Sequence, residues 1–200
     1  MNGPRRRAIV WRGLDAFRAE YADIHLHANR LLASGSQIGT EPTAYEARYS
    51  LDTREGYRTA RLTVDVTGEG WSRRLDLRRD DESRWELSVD AAGDPGLSDP
   101  GGDPASLEGA LDCDLAFSPL TNAMPVLRDA LHRGGSAREY DMAWVSLPDL
   151  AVHRSPQRYE PVAPGRVRFV SLDGDFRAAL EFDQDGLIVH YEHLAERVSG

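Results

Sequence analysis

The sequence predicts a mainly β protein: a single curled antiparallel sheet of about eleven strands, forming an unclosed barrel or β-roll with one or two short helices. Three observations lead there. Apolar residues alternate with polar ones through most of the chain, as in strands with one face buried. Turn residues interrupt that alternation roughly every 8–12 residues, as in sandwiches and barrels. Strand patterns do not alternate with helical ones, which sets aside a parallel α/β sheet.

The elements follow in order. Short strands are expected over Arg7–Trp11, Phe17–His27 and Leu31–Gly39, and Tyr45, Tyr49 and Leu51 share the inner face of the next. Over Arg58–Thr67, Ala60, Leu62, Val64 and Val66 face in, while Thr59, Arg61, Thr63 and Asp65 face out. The turn Gly68-Glu69-Gly70 leads to Trp71, Arg73, Leu75 and Leu77 on one face, and Trp85, Leu87 and Val89 follow. Gly and Pro crowd the stretch Ala91–Ser106, which reads as a long flexible loop inside one domain spanning residues 1–200. Ser118-Pro119 reads as a helix start, cut short by Pro125; Val126–Leu131 fits helix and strand alike. Strands are then expected over Tyr140–Leu147, Leu150–His153 and Arg166–Leu172. Phe176, Ala178, Leu180 and Phe182 share a face, and the hairpin turn Asp185-Gly186 returns the chain through Leu187, Val189 and Tyr191.

Charge and composition exclude several functions. The net charge is −9, so phosphate backbones repel the chain and nucleic acid is not an expected partner. No apolar run is long enough for a membrane span. The start, Met1-Asn2-Gly3-Pro4-Arg5-Arg6-Arg7, lacks the apolar stretch of a secretory leader, and Cys113 is the lone cysteine; a cytoplasmic setting is expected. Every basic residue is arginine, which excludes lysine Schiff-base chemistry and lysine phosphate loops.

Four motifs in order then become recognisable. They are Asp112-Cys113-Asp114-Leu115 leading to Pro119, Thr121, Asn122 and Pro125; Ala143-Trp144-Val145-Ser146-Leu147-Pro148; Gln157-Arg158-Tyr159; and Asp183-Gln184-Asp185-Gly186-Leu187-Ile188. Trp11 and Gly70-Trp71 fit the same pattern. With them the chain resembles, over nearly its whole length, the bacterial family described as putative glycolipid-binding proteins, long a family of unknown function. That resemblance implies a lipoprotein-carrier-like fold: a curled, incompletely closed barrel with short helices near its mouth. The carriers are exported and this chain carries no visible leader, so the fold analogy does not transfer the envelope role.

The expected function is therefore a non-catalytic carrier, holding a lipid, glycolipid or other amphipathic ligand in the apolar concave face. The groove lining is expected to include Tyr45, Tyr49, Trp71, Arg73, Leu75, Trp85, Phe117, Asn122, Trp144, Phe176, Leu180 and Phe182, with the loop 91–106 as a lid. Arg73, inward on its strand, suits an anionic head group; Glu20, on the inward parity of Phe17–His27, is a candidate partner for it. The opposing expectation is that the same side chains fill the interior. The motif residues Asp112, Asp114, Pro119, Thr121, Asn122, Pro125, Gln157, Tyr159, Asp183 and Gly186 read as structural. Asp112 or Asp114 would accept backbone N–H groups in the turn before Ser118, and Thr121 and Asn122 would serve turns and caps.

Two other readings stay open. One is an interaction module using exposed sheet edges, as a monomer or an edge-paired homodimer. The other is an enzyme with Asp112, Asp114 and Arg73 in a polar pocket. Cys113 lies between two acids that raise its pKa, the wrong setting for a nucleophile. His25 and His27 share a strand face, but no third ligand is near in sequence, so no metal is expected. No cofactor motif is present.

Overall fold

A computed structural model describes residues 4–200; Met1, Asn2 and Gly3, on which the expectation about a secretory leader partly rests, lie outside the described residues. The mainly β expectation holds, with fourteen strands rather than eleven. They are β1 (Arg5–Gly13), β2 (Arg18–Leu26), β3 (Leu31–Gly39), β4 (Tyr45–Thr53), β5 (Thr59–Gly68), β6 (Trp71–Arg79) and β7 (Trp85–Ala92), then β8 (Asp112–Leu115), β9 (Arg138–Val145), β10 (Val152–Ala163), β11 (Arg166–Ser171), β12 (Arg177–Phe182), β13 (Ile188–Tyr191) and β14 (Ala195–Ser199). One short helix, α1 (Ala123–Arg128), and 3-10 turns at Glu55–Tyr57, Pro104–Leu107 and Leu131–Arg133 complete the described chain.

All fourteen strands form one unclosed sheet, in the order β7-β6-β5-β4-β3-β2-β1-β14-β13-β12-β11-β10-β9-β8. Neighbours pair antiparallel except β8 with β9, which run parallel. The strand count rises because β8 and β14 lack alternation. All four β8 residues are buried, so no polar face marks the strand. β14 is short and half exposed, and joins the two halves by pairing with β1 and β13. β10 also runs well past His153, through Pro156 and Pro161, residues that argue against a strand when only sequence is visible.

The N-terminal strands do not enclose a groove. Residues 107–124 pass inside the curl, and Leu107, Ala110, Cys113, Leu115, Leu120 and Met124 pack with Ile9, Trp11, Leu51, Leu62 and Leu75 in one buried cluster. Each fully buried aliphatic side chain contributes roughly 1.5–3 kcal/mol. Three of the aromatics expected in a groove instead cover glycines on the facing strand. Tyr45 pairs with Gly39, Tyr49 with Gly35, and Trp71 with Gly68. A Cβ built on Gly35 would lie 2.5 Å from the Tyr49 ring, and one on Gly68 would lie 2.3 Å from Trp71. The aromatic rings thus occupy the space a side chain would take on the opposite strand. Thr59, expected outside, is buried: a register shift at Thr53 turns it inward.

The Gly/Pro-rich stretch 91–106 touches the rest of the fold at several points. Gly101 forms a parallel bridge with Ala151, its N–H donating to the Leu150 carbonyl at 2.8 Å. Arg73 donates to the carbonyls of Ser98 and Asp149, and Leu97 packs on the core. The segment also touches the edge strand β7, while the other edge strand, β8, bonds to Thr59. Gly101 lies against Leu87 and Val89 of β7. At β8, the Cys113 N–H donates to Thr59 Oγ1 at 2.9 Å.

Candidate functional site

The opening in the fold lies in the C-terminal half, where the inner segment 114–118 meets β10, β11 and β13. There a cleft of about 380 Å³ is lined by Asp114, Phe117, Ser118, Asn122, Trp144, His153, Ser155, Gln157, Phe169, Phe176 and Tyr191, among others. That volume falls in the lower part of the range for small-molecule sites, ~300–1,000 Å³. A larger depression, about 730 Å³, lies on the outer face of β10–β12 among Arg158, Glu160, Arg166 and Arg168. Three of its four arginines are ion-paired: Glu160 takes both Arg158 and Arg168, and Glu181 takes Arg166.

The cleft floor is a continuous chain of hydrogen bonds built from two of the sequence motifs. Thr121 Oγ1 donates to Asp114 Oδ1 at 2.8 Å, and Gln157 Nε2 donates to Asp114 Oδ2 at 2.7 Å. The Tyr159 hydroxyl donates to Gln157 Oε1, and Asn122 Nδ2 donates to the Tyr159 oxygen, both at 3.0 Å. Each amide and hydroxyl orientation is thereby set by its neighbour, so the floor is rigid. Burial pushes the Asp114 carboxyl above its ordinary range, and the bonds from Gln157 and Thr121 oppose it. Burial also raises Tyr159 far above an ordinary phenol, with the Asp114 charge adding to the shift.

The walls are aromatic. Tyr159 meets Phe169 edge-on with centroids 5.4 Å apart, Phe169 meets Phe176 at 5.9 Å, and Tyr191 lies 6.2 Å from Phe169. Across the cleft, Trp144 and His153 face each other at 4.7 Å; they are register partners on β9 and β10. Phe117 adopts φ +63°, and the Arg18 guanidinium lies 3.9 Å above its ring. A bulky residue in the left-handed region stores strain and invites a functional explanation.

Of the expected lining, Phe117, Asn122, Trp144 and Phe176 border this cleft. Phe176 sits just ahead of β12 at 42 % exposure, on the rim rather than on the buried face with Ala178, Leu180 and Phe182. Tyr45, Tyr49, Trp71, Leu75 and Trp85 belong to the main core, and Leu180 and Phe182 to a second cluster with Val126 and Tyr159. Trp85 Nε1 is satisfied by the Ala110 carbonyl at 3.1 Å. Arg73 points to backbone carbonyls, and Glu20 bonds to Tyr49 and Ser118, so the two do not pair.

The motif residues are structural in ways the turn-and-cap expectation did not foresee. Asp112 makes a two-pronged ion pair with Arg128 at 2.8 and 2.9 Å, and burial still pushes its carboxyl up. Neither aspartate binds the turn's N–H groups: the available donors are side chains. The helix begins at Ala123, not at Ser118, and Asn122 caps it by position without a side-chain bond. Pro119 and Pro125 are buried. Pro125 lies in the first turn, where a missing N–H costs no helical bond. Asp183 Oδ1 accepts the N–H groups of Asp185 and Leu187, and Gly186 takes φ +75°, closing the hairpin. Asp112, Asp114 and Arg73 do not share a pocket. No group of three or more His, Cys, Asp or Glu side chains among the described residues is placed to hold a metal ion, and no described helix is long and apolar enough to cross a membrane.

His153, Ser155, Phe169 and Tyr191 are cleft residues the sequence reading missed. The Ser155, Gln157, Tyr159 alternation on β10 was the available signal, hidden by Pro156 and Pro161.

The fold and its cleft define a class: an unclosed single-sheet β-barrel that fills its own N-terminal half and carries a ligand-sized cleft on the inner side of the other. The chain belongs to the family described as putative glycolipid-binding, whose profile matches residues 8–197. It is similar to a crystal structure of a DUF1089 family protein from Pseudomonas aeruginosa, at 23% identity and a TM-score of 0.73, over 94% of this chain and 95% of that one. At that identity the likeness shows the fold. No curated protein matches the chain.

Proposed function

We propose that the chain is a non-catalytic binding protein for an amphipathic molecule with a hydroxyl-rich head, such as a glycolipid, and that the head sits in the cleft. The observation that supports this is the meeting, in one cleft, of aromatic walls with a floor of fixed polar groups. Sugar rings present C–H faces to aromatic rings and hydroxyls to such a floor. The family description points the same way. The barrel interior is filled, so an acyl chain would leave over the rim, where Phe176 is 42% exposed. Each methylene covered there would contribute up to ~0.8 kcal/mol.

Trp144 is the natural reporter, because Trp11, Trp71 and Trp85 are buried elsewhere. Its fluorescence is followed during titration with n-octyl β-D-glucoside below the micelle concentration, with glucose and octanol as separate controls. A saturable change with the glucoside, weaker with either half alone, is expected. Ser155→Leu places a larger side chain in the cleft and should abolish it. Equal response in Ser155→Leu, or no saturable response in the native chain, overturns the reading.

A further inference from the structure

Behind Phe117 lies a second, much smaller space. A chamber of about 10 Å³ is lined by Trp11, Arg18, Glu20, Gln37, Phe117 and Leu194, among others. It is at the lower limit for a single water. Phe117 and Leu194 border both the chamber and the cleft, so two side chains divide one space into two. Ser118 spans the division: it lines the cleft and donates to Glu20 Oε1 at 2.7 Å. The Tyr49 hydroxyl donates to the same oxygen at 2.6 Å.

The other carboxyl oxygen, Glu20 Oε2, is buried and has no hydrogen-bond partner among the described residues. Glu20 as a whole is 4% exposed. Both donors sit on Oε1, so the proton of the neutral acid falls on Oε2, which then needs an acceptor. The ionised form needs a donor at the same atom. A hydroxyl group is suited to both demands, because it donates and accepts.

We propose that the cleft continues past Phe117 into this chamber, and that Glu20 Oε2 is the partner of a hydroxyl on the ligand's head group. This rests on the binding function proposed above. It requires Phe117 to turn aside, and that residue is already held in a left-handed conformation under Arg18. The groups facing Glu20 are Tyr49 and Tyr45 of β4, Arg18 of β2, Gln37 of β3, Arg12 of β1 and Ser118. Of these, Tyr49 and Ser118 donate directly to it. Burial pushes the Glu20 carboxyl up to about 7, so the group titrates in an accessible range. A ligand hydroxyl bonds the ionised oxygen more strongly than it bonds the neutral acid, so it favours the ionised form and binding tightens as pH rises.

The test measures the dissociation constant of n-octyl β-D-glucoside at pH 5.5 and 8.5, by the fluorescence of Trp144 in the cleft and Trp11 at the chamber, in the native chain and in Glu20→Gln. Glutamine keeps the acceptor for Tyr49 and Ser118 and does not titrate. The native chain should bind about threefold more tightly at the higher pH, equivalent to a carboxyl midpoint lowered by about half a pH unit. Glu20→Gln should bind with no such dependence. Binding that is independent of pH in the native chain overturns the inference and leaves the cleft reading standing. Equal pH dependence in both chains assigns it to another group and overturns it too. No saturable binding in either chain overturns the cleft reading together with the inference. Should Glu20→Gln fail to fold, carboxyl ¹³C chemical shifts of Glu20 in the native chain give the midpoint with and without the glucoside. An unmoved midpoint then has the same meaning as pH-independent binding.

Discussion

Gln157 Nε2 donates to Asp114 Oδ2 at 2.7 Å, joining the centre of β10 to the innermost strand, β8. The same amide accepts from Tyr159 through its oxygen. One side chain thus satisfies a buried carboxylate and a buried phenol at once. That double role is why a strand in the wall and a strand in the interior hold the cleft floor at a fixed separation.

Gln157→Leu removes both partners while keeping the approximate volume. It leaves Asp114 Oδ2 without a donor and Tyr159 without its acceptor. Each orphaned group costs about 1–3 kcal/mol. Urea unfolding should show a loss of roughly 2–5 kcal/mol, discounted for the contacts the leucine regains. A loss below about 1 kcal/mol would mean that water reaches the network from the cleft and replaces the amide.

The buried ion pair between Asp112 and Arg128 gives a different signature. The Asp112 side chain is fully buried and that of Arg128 is 11% exposed. Arg128→Met strands the carboxyl and should cost on the order of 3–5 kcal/mol. Replacing both, Asp112→Asn with Arg128→Met, removes the charge that made the first change costly. The double variant should therefore be the more stable of the two. Thermal melts at one pH decide it; strictly additive losses would show that the pair is not coupled.

Glu20 makes stability depend on pH. Its carboxyl is raised by burial from 4.5 to about 7 in the folded chain, with Tyr49 and Ser118 opposing the rise. For a raised acid, the unfolded chain releases the proton first as pH increases. The stabilisation is complete below pH ~4.5 and is lost as pH rises through about 7, a total on the order of 3 kcal/mol. Urea midpoints between pH 4.5 and 8 should fall in the native chain. Asp112 and Asp114 are shifted in the same direction, so the comparison with Glu20→Gln isolates the effect. Parallel curves for the two chains would show that Glu20 is not the group responsible.

The architecture was legible because most of it is alternation: β4, β5 and β6 bury every second residue almost without exception. The same inward parity placed Tyr49, Trp71 and Leu75 correctly on the concave side. It could not say whether that side was open, because what fills it comes from residues 107–124, far away in sequence. Asp112, Asp114, Thr121, Asn122, Gln157 and Tyr159 were visible as motifs, but their meeting was not. Asp114 and Gln157 are 43 residues apart, and no local pattern brings them together. Glu20 was legible as an inward acid. Its partners were not, since Ser118 lies 98 residues on.

Cys113 tests whether the innermost strand is as inaccessible as its packing implies. Its thiol is fully buried, with its N–H given to Thr59 Oγ1. Burial, helped by the flanking Asp112 and Asp114 and opposed by the Thr59 hydrogen bond, pushes the thiol up to about 12. The reactive thiolate is then absent at neutral pH and the sulfur is out of reach. Modification by an aromatic disulfide reagent should wait for the chain to open, at a rate independent of reagent concentration once reagent is in excess. Arg128→Met, which loosens the neighbouring Asp112, should speed it. A rapid, reagent-dependent reaction in the native chain would instead mean that β8 detaches from β9 and Thr59 locally. The plug inside the barrel would then be a mobile element rather than part of its core.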